Sequence, residues 1–248
     1  MPGLISVDWP APKNVQAATT SRIGGVSLAS FDSFNLADHV GDHPAAVLAN
    51  RELLLEELAL PAEPLWLKQV HGRRVITLDG LPTAGPPEAD ASVSTGPGRV
   101  CAVLTADCLP VLFCDRAGTR VAAAHAGWRG LSAGVLEATV AQMLVAPDEI
   151  MAWLGPAIGP QAFEVGTDVR AAFVDDDADS ASAFVALGDD RWLANIDHLA
   201  RRRLARAGVT AVYGGGRCTY SEAGMFYSYR RDGITGRMAS LLWLSNGE

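Results

Sequence analysis

Three residues from separate parts of the chain carry side chains that could hold one metal ion. They are His71 in Trp66-Leu67-Lys68-Gln69-Val70-His71-Gly72, Cys108 in Thr105-Ala106-Asp107-Cys108-Leu109-Pro110, and His125 in Ala124-His125-Ala126-Gly127-Trp128. Two imidazoles and a thiolate suit zinc, and three protein ligands leave a fourth tetrahedral position open, as in catalytic rather than structural zinc sites. A water held in that position has its pKa lowered to about 7 and supplies hydroxide at neutral pH. Each residue taken singly also has an ordinary reading, His71 as a surface-loop histidine and Cys108 as a free thiol. Cys108 stands apart because it follows an aspartate and precedes Leu-Pro, outside the strand pattern. His125 stands apart because an imidazole among alanines and glycine has little packing role, and small neighbours let backbone and substrate come close.

Other residues could serve such a centre. Asp107, beside the thiolate, is a candidate support for a ligand or a proton shuttle, with capping of the turn before Pro110 as its alternative role. Glu164 follows the rigid loop Gly155-Pro156-Ala157-Ile158-Gly159-Pro160, a segment of the kind that lines sites. Arg22 precedes Gly24-Gly25, where N–H groups and a guanidinium could together hold a phosphate-like anion. The order GxxxxGK[ST] is absent, so this is no nucleoside-triphosphate loop. His39, His43 and His198 read as surface residues. The run Asp175-Asp176-Asp177-Ala178-Asp179 reads as a solvated acidic loop, and Arg201-Arg202-Arg203 with Arg206 as a solvated helix face.

The elements that must position these groups are short strands mixed with a few helices, without a regular βαβ repeat. Strands are expected at 15–20, 73–78, 91–94, 99–104, 111–114, 120–124, 149–154, 209–213, 225–229 and 238–244. A helix is expected from an Asp42 cap through about Leu58, with Pro44 in its first turn. Further helices are expected at 129–145, 167–173 and 195–207. The chain has 248 residues, 49% of them hydrophobic, and no linker or composition break, so one domain over 1–248 is expected. A net charge of −8 argues against a nucleic-acid partner, which would normally need a basic stripe; only Lys13 and Lys68 stand beside the arginines, a compositional bias. The start shows no signal-peptide pattern, and no apolar run approaches the roughly 20 residues of a membrane span, so a cytoplasmic protein is expected. Cys101, Cys108, Cys114 and Cys218 show no CxxC pairing, and Cys101 and Cys114 read as core thiols.

In order along the chain, Thr20-Ser21-Arg22-Ile23-Gly24-Gly25-Val26-Ser27, the three ligand motifs, and the blocks at 155–159 and 228–240 resemble the YfiH-like laccase-domain family. These are purine nucleoside phosphorylase-type proteins long labelled multicopper polyphenol oxidoreductases. The resemblance implies an α+β fold, a four-layer α/β/β/α sandwich related to cytotoxic-necrotising-factor-like cysteine hydrolases. It implies one zinc on His71, Cys108 and His125. It also implies purine nucleosides and phosphate as substrates: phosphorolysis of adenosine, inosine, guanosine and methylthioadenosine, and deamination of adenosine. Under that reading Arg22 would anchor phosphate. The chain departs from the family pattern at Ser21, usually threonine, and at Asn195-Ile196, usually Asp-Leu; neither touches the ligands.

Two other enzyme readings use the same residues. A laccase-like polyphenol oxidase would need a two-histidine, one-cysteine copper site and several further histidines for a trinuclear centre. Five histidines, three of them poorly placed, cannot supply both, although one copper could occupy the zinc ligands. A metal-free cysteine hydrolase would use Cys108 as nucleophile with His125 or His71 as base. A non-catalytic binding module leaves the recurrence of ligand-type residues at strand ends unexplained.

Overall fold

The computed structural model describes residues 2–80 and 85–245. In chain order the elements are β1 (Leu4–Ile5), β2 (Val15–Thr20), α1 (Pro44–Glu57), β3 (Val75–Thr77), β4 (Ala91–Ser94), β5 (Val100–Thr105), β6 (Leu109–Asp115), β7 (Val121–Ala126), α2 (Trp128–Ala133), α3 (Val135–Gln142), β8 (Ile150–Leu154), β9 (Glu164–Gly166), α4 (Thr167–Val174), β10 (Phe184–Gly188), β11 (Arg191–Ala194), α5 (Ile196–Arg206), β12 (Ala211–Gly214), α6 (Tyr229–Asp232) and β13 (Met238–Leu244). Six strands form one sheet in the order β12-β8-β6-β7-β4-β3, four form a second in the order β1-β2-β13-β5, and β10-β11-β9 make a small third.

The layering follows from strands that are apolar on both faces. In β5, Val100, Ala102 and Leu104 pack outward with Leu54 of α1, while Cys101 and Val103 turn inward. In β7, Val121 and Ala123 meet that same inward cluster, while Ala122, Ala124 and Ala126 face Leu131, Val135 and Leu136 of α2 and α3. The period of two thus sends alternate side chains into two different cores, and both faces must be covered. The result is helix, four-stranded sheet, six-stranded sheet, helices: the expected α/β/β/α sandwich.

Several local expectations are corrected. Helix α1 is capped by His43, whose Nδ1 accepts from the Ala45 N–H, rather than by Asp42, whose carboxylate accepts from Ser27 and Asn35. The helix expected over 129–145 is two helices, because the chain turns at Gly134 with φ of +93°. Residues 225–229 form no strand; Ser228 caps α6 instead. The sheet β9–β11 was not expected from hydrophobic pattern at all. The arginine run is solvated only in part: Arg206 is exposed and pairs with Asp176, but Arg203 is buried and pairs with Glu137 and Asp176, and half-buried Arg202 pairs with Asp177. The acidic loop is the partner of the arginine helix.

Candidate metal centre

Strand register brings the candidate ligands together. Pro110 of β6 lies opposite His125 of β7, so Cys108, two residues earlier, lies beside Gly127. On the other side of β7, Ala91 of β4 pairs with Ala124, which leaves Asp90 next to His125; the His125 N–H donates to the Asp90 carbonyl at 2.7 Å. Cys108 stands where the chain leaves β5 of one sheet for β6 of the other. His71 arrives on the segment before β3, which Gln69 docks onto β5 by donating to the Leu104 carbonyl and accepting from its N–H, both at 2.8 Å.

The ligand atoms of His71, Cys108 and His125 all lie within 4.8 Å of one another, and the Cys108 Sγ to His71 Nε2 separation is 3.9 Å. Ligand atoms on a tetrahedral zinc, with bonds of about 2.3 Å to sulfur and about 2.0 Å to nitrogen, sit about 3.5 Å apart. The donor set therefore fits such an ion after a small inward shift. The imidazoles of His71 and His125 meet edge-on, with centroids 4.8 Å apart and planes at 78°. Gly127 makes the approach possible. A Cβ there would stand 2.8 Å from His71 Cδ2 and 2.9 Å from Cys108 Sγ.

A buried carboxylate that sequence reasoning missed organises two of the three ligands. Asp90 accepts from His125 Nδ1 at 2.9 Å and from the N–H groups of Val70, His71 and Gly72 at 3.2, 2.8 and 2.7 Å. Burial pushes its pKa up, but the His125 contact and these N–H groups outweigh burial and leave it below the usual carboxylate range. By holding the proton of Nδ1, Asp90 leaves Nε2 as the nitrogen of His125 that could ligate a metal ion. Burial raises the Cys108 thiol, yet the facing imidazoles of His125 and His71 more than reverse this and bring it to about 6. His125 moves the other way, from a burial penalty to about 9, because of the Cys108 thiolate and Asp90. Both shifts favour thiolate and imidazolium in the metal-free site, so an ion bound there would displace the proton of His125 Nε2.

Two cavities meet at the triad. One, of about 250 Å³, is lined by His39, Gln69, His71, Thr105, Cys108, His125, Tyr229 and Arg237. The other, of about 270 Å³, is lined by His71, Asp107, Cys108, Trp128, Arg129, Ile158, Phe163, Ile196, Tyr229 and Arg230.

Comparison with known proteins agrees with this architecture. Residues 16–245 match the family model described as multi-copper polyphenol oxidoreductase laccase. The chain belongs to the YfiH-like laccase-domain family. It is 59% identical over 244 residues to the Escherichia coli protein named purine nucleoside phosphorylase YfiH, covering 98% of this chain and 100% of that one. A Pseudomonas aeruginosa purine nucleoside phosphorylase is 57% identical over 243 residues, covering 98% of each chain. The crystal structure of a Neisseria meningitidis protein superposes with a TM-score of 0.95 at 53% identity, covering 98% of this chain and 100% of that one.

The remaining sequence candidates of this family member lie as follows. Asp107 lines the second cavity, but its carboxylate oxygens are engaged: Oδ1 accepts from the Thr219 hydroxyl at 2.6 Å and Oδ2 from the Arg230 N–H at 2.7 Å. Glu164 and Arg22 line neither cavity. The Glu164 carboxylate pairs with Arg191 and its carbonyl accepts from Arg230. The Arg22 guanidinium donates to the carbonyls of Asp32 and Ala223, while the Gly24 and Gly25 N–H groups donate to Ser33 Oγ. Of the histidines read as surface residues, His39 does reach the first cavity. Sequence reasoning also missed Tyr229 and Arg237. The available signal was position: each lies in a family block, next to an element boundary.

Proposed function

We propose that this chain is a zinc-dependent purine nucleoside enzyme that phosphorolyses adenosine, inosine, guanosine and methylthioadenosine and deaminates adenosine. One observation carries the reading: two imidazoles and a thiolate converge where two cavities meet, in a chain closely similar to proteins named purine nucleoside phosphorylase. His71, Cys108 and His125 would hold the ion. Zinc bound there would supply a Lewis acid; copper could occupy the same donors, but this chain's five histidines cannot build a multicopper centre.

In phosphorolysis an oxygen of phosphate bonds to C1′ of the ribose as the C1′–N9 bond breaks. The bonding pair leaves on N9, which takes a proton, and the products are ribose 1-phosphate and the free base. In deamination water adds at C6 of adenine and ammonia leaves, giving inosine. Asp90 fixes the tautomer and orientation of His125 and the turn bearing His71. Of the residues expected to be catalytic, Asp107 and Arg22 would act by holding loops in place, and Glu164 would pair with Arg191 across β9 and β11. The net charge of −8 fits small-molecule partners rather than nucleic acid, and no helix among the described residues is long and apolar enough to cross a membrane.

The test is metal analysis of the purified protein followed by incubation with adenosine, with and without phosphate. Adenine and ribose 1-phosphate are expected only with phosphate, and inosine in both. Cys108→Ala and His125→Ala should lose metal and both activities; full metal content in either removes the ligand set. A second reading is favoured by one observation: the lowered Cys108 thiol beside His125, itself bound to Asp90, also has the make-up of a cysteine hydrolase. Turnover that survives chelation and is lost on Cys108 alkylation would select it.

A further inference from the structure

The two cavities at the triad differ in chemistry, and we propose that they divide the substrates: inorganic phosphate enters the cavity faced by Arg237, and the purine base enters the cavity walled by Trp128, Ile158, Phe163 and Ile196. The assignment rests on the phosphorolysis reading above.

Arg237 directly precedes β13, whose first residue Met238 pairs with Thr105 at the end of β5, so register sets it beside the turn that carries Cys108. Its Nη1 donates to the carbonyls of Thr235 and Gly236 at 2.8 and 3.0 Å, which fixes the guanidinium plane. Among the described residues no acceptor is paired with its Nε or Nη2 and no carboxylate forms an ion pair with it. No aspartate or glutamate lines this cavity, and the Gln69 amide is already spent on Leu104. A half-buried guanidinium with part of its donor fork open, next to a cation site, favours a compact oxyanion, which can accept two parallel N–H bonds. A neutral base would leave that charge uncompensated.

The other cavity has the opposite character. Trp128 and Phe163 line it with aromatic rings, each with a guanidinium over one face (Arg129 at 4.4 Å and Arg230 at 5.7 Å), and Ile158 and Ile196 add aliphatic surface, a wall suited to a flat heterocycle with a polar rim. Asp107 offers no free carboxylate oxygen there, because Thr219 and Arg230 occupy both. Arg129 and Arg230 stand in this cavity too, which makes it the competing place for phosphate. Both are exposed, however, Arg230 with its Nη1 on the Glu164 carbonyl and Arg129 over the Trp128 ring, so water competes for their donors more than for those of half-buried Arg237. Tyr229, 62% exposed and lining both cavities, is placed over the sugar that must span them.

Steady-state kinetics of the metal-loaded full chain, with adenosine and phosphate varied separately, test the division. Arg237→Gln should raise the phosphate KM about tenfold or more, keep the nucleoside KM within about twofold and keep the metal. Trp128→Ala should raise the nucleoside KM with the phosphate KM unchanged, and Trp128→Phe should restore most of the loss. Arg129→Gln should leave the phosphate KM unchanged. Equilibrium dialysis of labelled inorganic phosphate gives a readout free of turnover: wild type should retain phosphate and Arg237→Gln should not. A phosphate KM that follows Arg129 instead of Arg237, or phosphate retention equal in wild type and Arg237→Gln, overturns the assignment. Wild-type protein that retains phosphate through Arg237 yet cleaves no nucleoside removes the phosphorolysis reading and keeps the anion site.

Discussion

At residues 70–72 the turn that carries His71 is held from outside: Asp90, from the strand-entry segment before β4, gathers three of its N–H groups and also grips His125. At residues 106–108 the turn that carries Cys108 holds itself, through its own Asp107, which reaches to Thr219 and to the N–H of Arg230. Both turns need a residue in the left-handed region, His71 at φ +59° and Asp107 at +91°, a conformation that favours glycine and must be maintained by its surroundings. The difference is in what each carboxylate couples. Asp90 links two candidate ligands to each other, so its loss should disturb the proposed metal site directly. Asp107 links a ligand-bearing turn to the segment that forms the cavity wall, so its loss loosens the frame.

Asp90→Ala gives the largest expected effect. It leaves three N–H donors and a buried imidazole N–H without an acceptor, so stability should fall by about 3–5 kcal/mol. Metal affinity, read by chelator competition, should fall at least about tenfold to hundredfold. Gly127→Ala comes next and separates the metal site from the fold. Gly127 has φ −63° and ψ 157°, which alanine adopts freely, so only the new contacts with His71 and Cys108 matter. Because the atoms met are side-chain ends that can swing aside, the overpacking of about 1–3 kcal/mol should appear as a loss of about tenfold to hundredfold in metal affinity, with the denaturation midpoint of the metal-free protein nearly unmoved. Asp107→Asn should cost about 1–3 kcal/mol of stability, since the amide has a single accepting oxygen for the two donors that Oδ1 and Oδ2 now satisfy. Its metal affinity should stay within about tenfold of wild type. A drop in affinity matching that of Asp90→Ala would erase the distinction between the two carboxylates.

The legible parts of the molecule were those written in local pattern. Residues 15–20, 91–94 and 238–244 have the same bounds as strands in sequence and structure because their flanks carry turn-formers and their interiors are apolar. The triad was legible because its residue types are rare among their neighbours. Asp90 was not, because a carboxylate before a short strand has no local mark; its role comes from β4 pairing with β7, a contact between distant segments. The ion pairs of Arg202, Arg203 and Arg206 with the acidic loop were hidden for the same reason. The β10–β11 hairpin did carry a sign: Asp189 and Asp190 both have positive φ, the two-residue turn that Asp favours. Its strands escaped notice because Val185 and Leu187 are exposed and β11 is only half-buried, so no run of core residues marks them.

The smallest expected effect is a shift in titration, and it bears most directly on which aspartate speaks to the ligands. In metal-free protein the Cys108 thiol lies at about 6, because the imidazoles of His125 and His71 outweigh the burial that would raise it. Alkylation of Cys108 should therefore stay fast as pH falls from 9 toward about 6 and slow only below that, as the thiolate is protonated. Asp90 helps His125 keep its proton, so Asp90→Asn weakens the positive neighbour and should move the alkylation midpoint upward. Asp107 does not face the thiolate with a free oxygen, and Asp107→Asn should leave that midpoint where it is. Equal upward shifts in the two variants would mean that both carboxylates act on the thiolate by the same route, through the shape of the site rather than through His125. A midpoint that moves only in Asp90→Asn, and alkylation that stops once zinc is restored, would tie the electrostatics of the ligand pair to the one carboxylate that touches it.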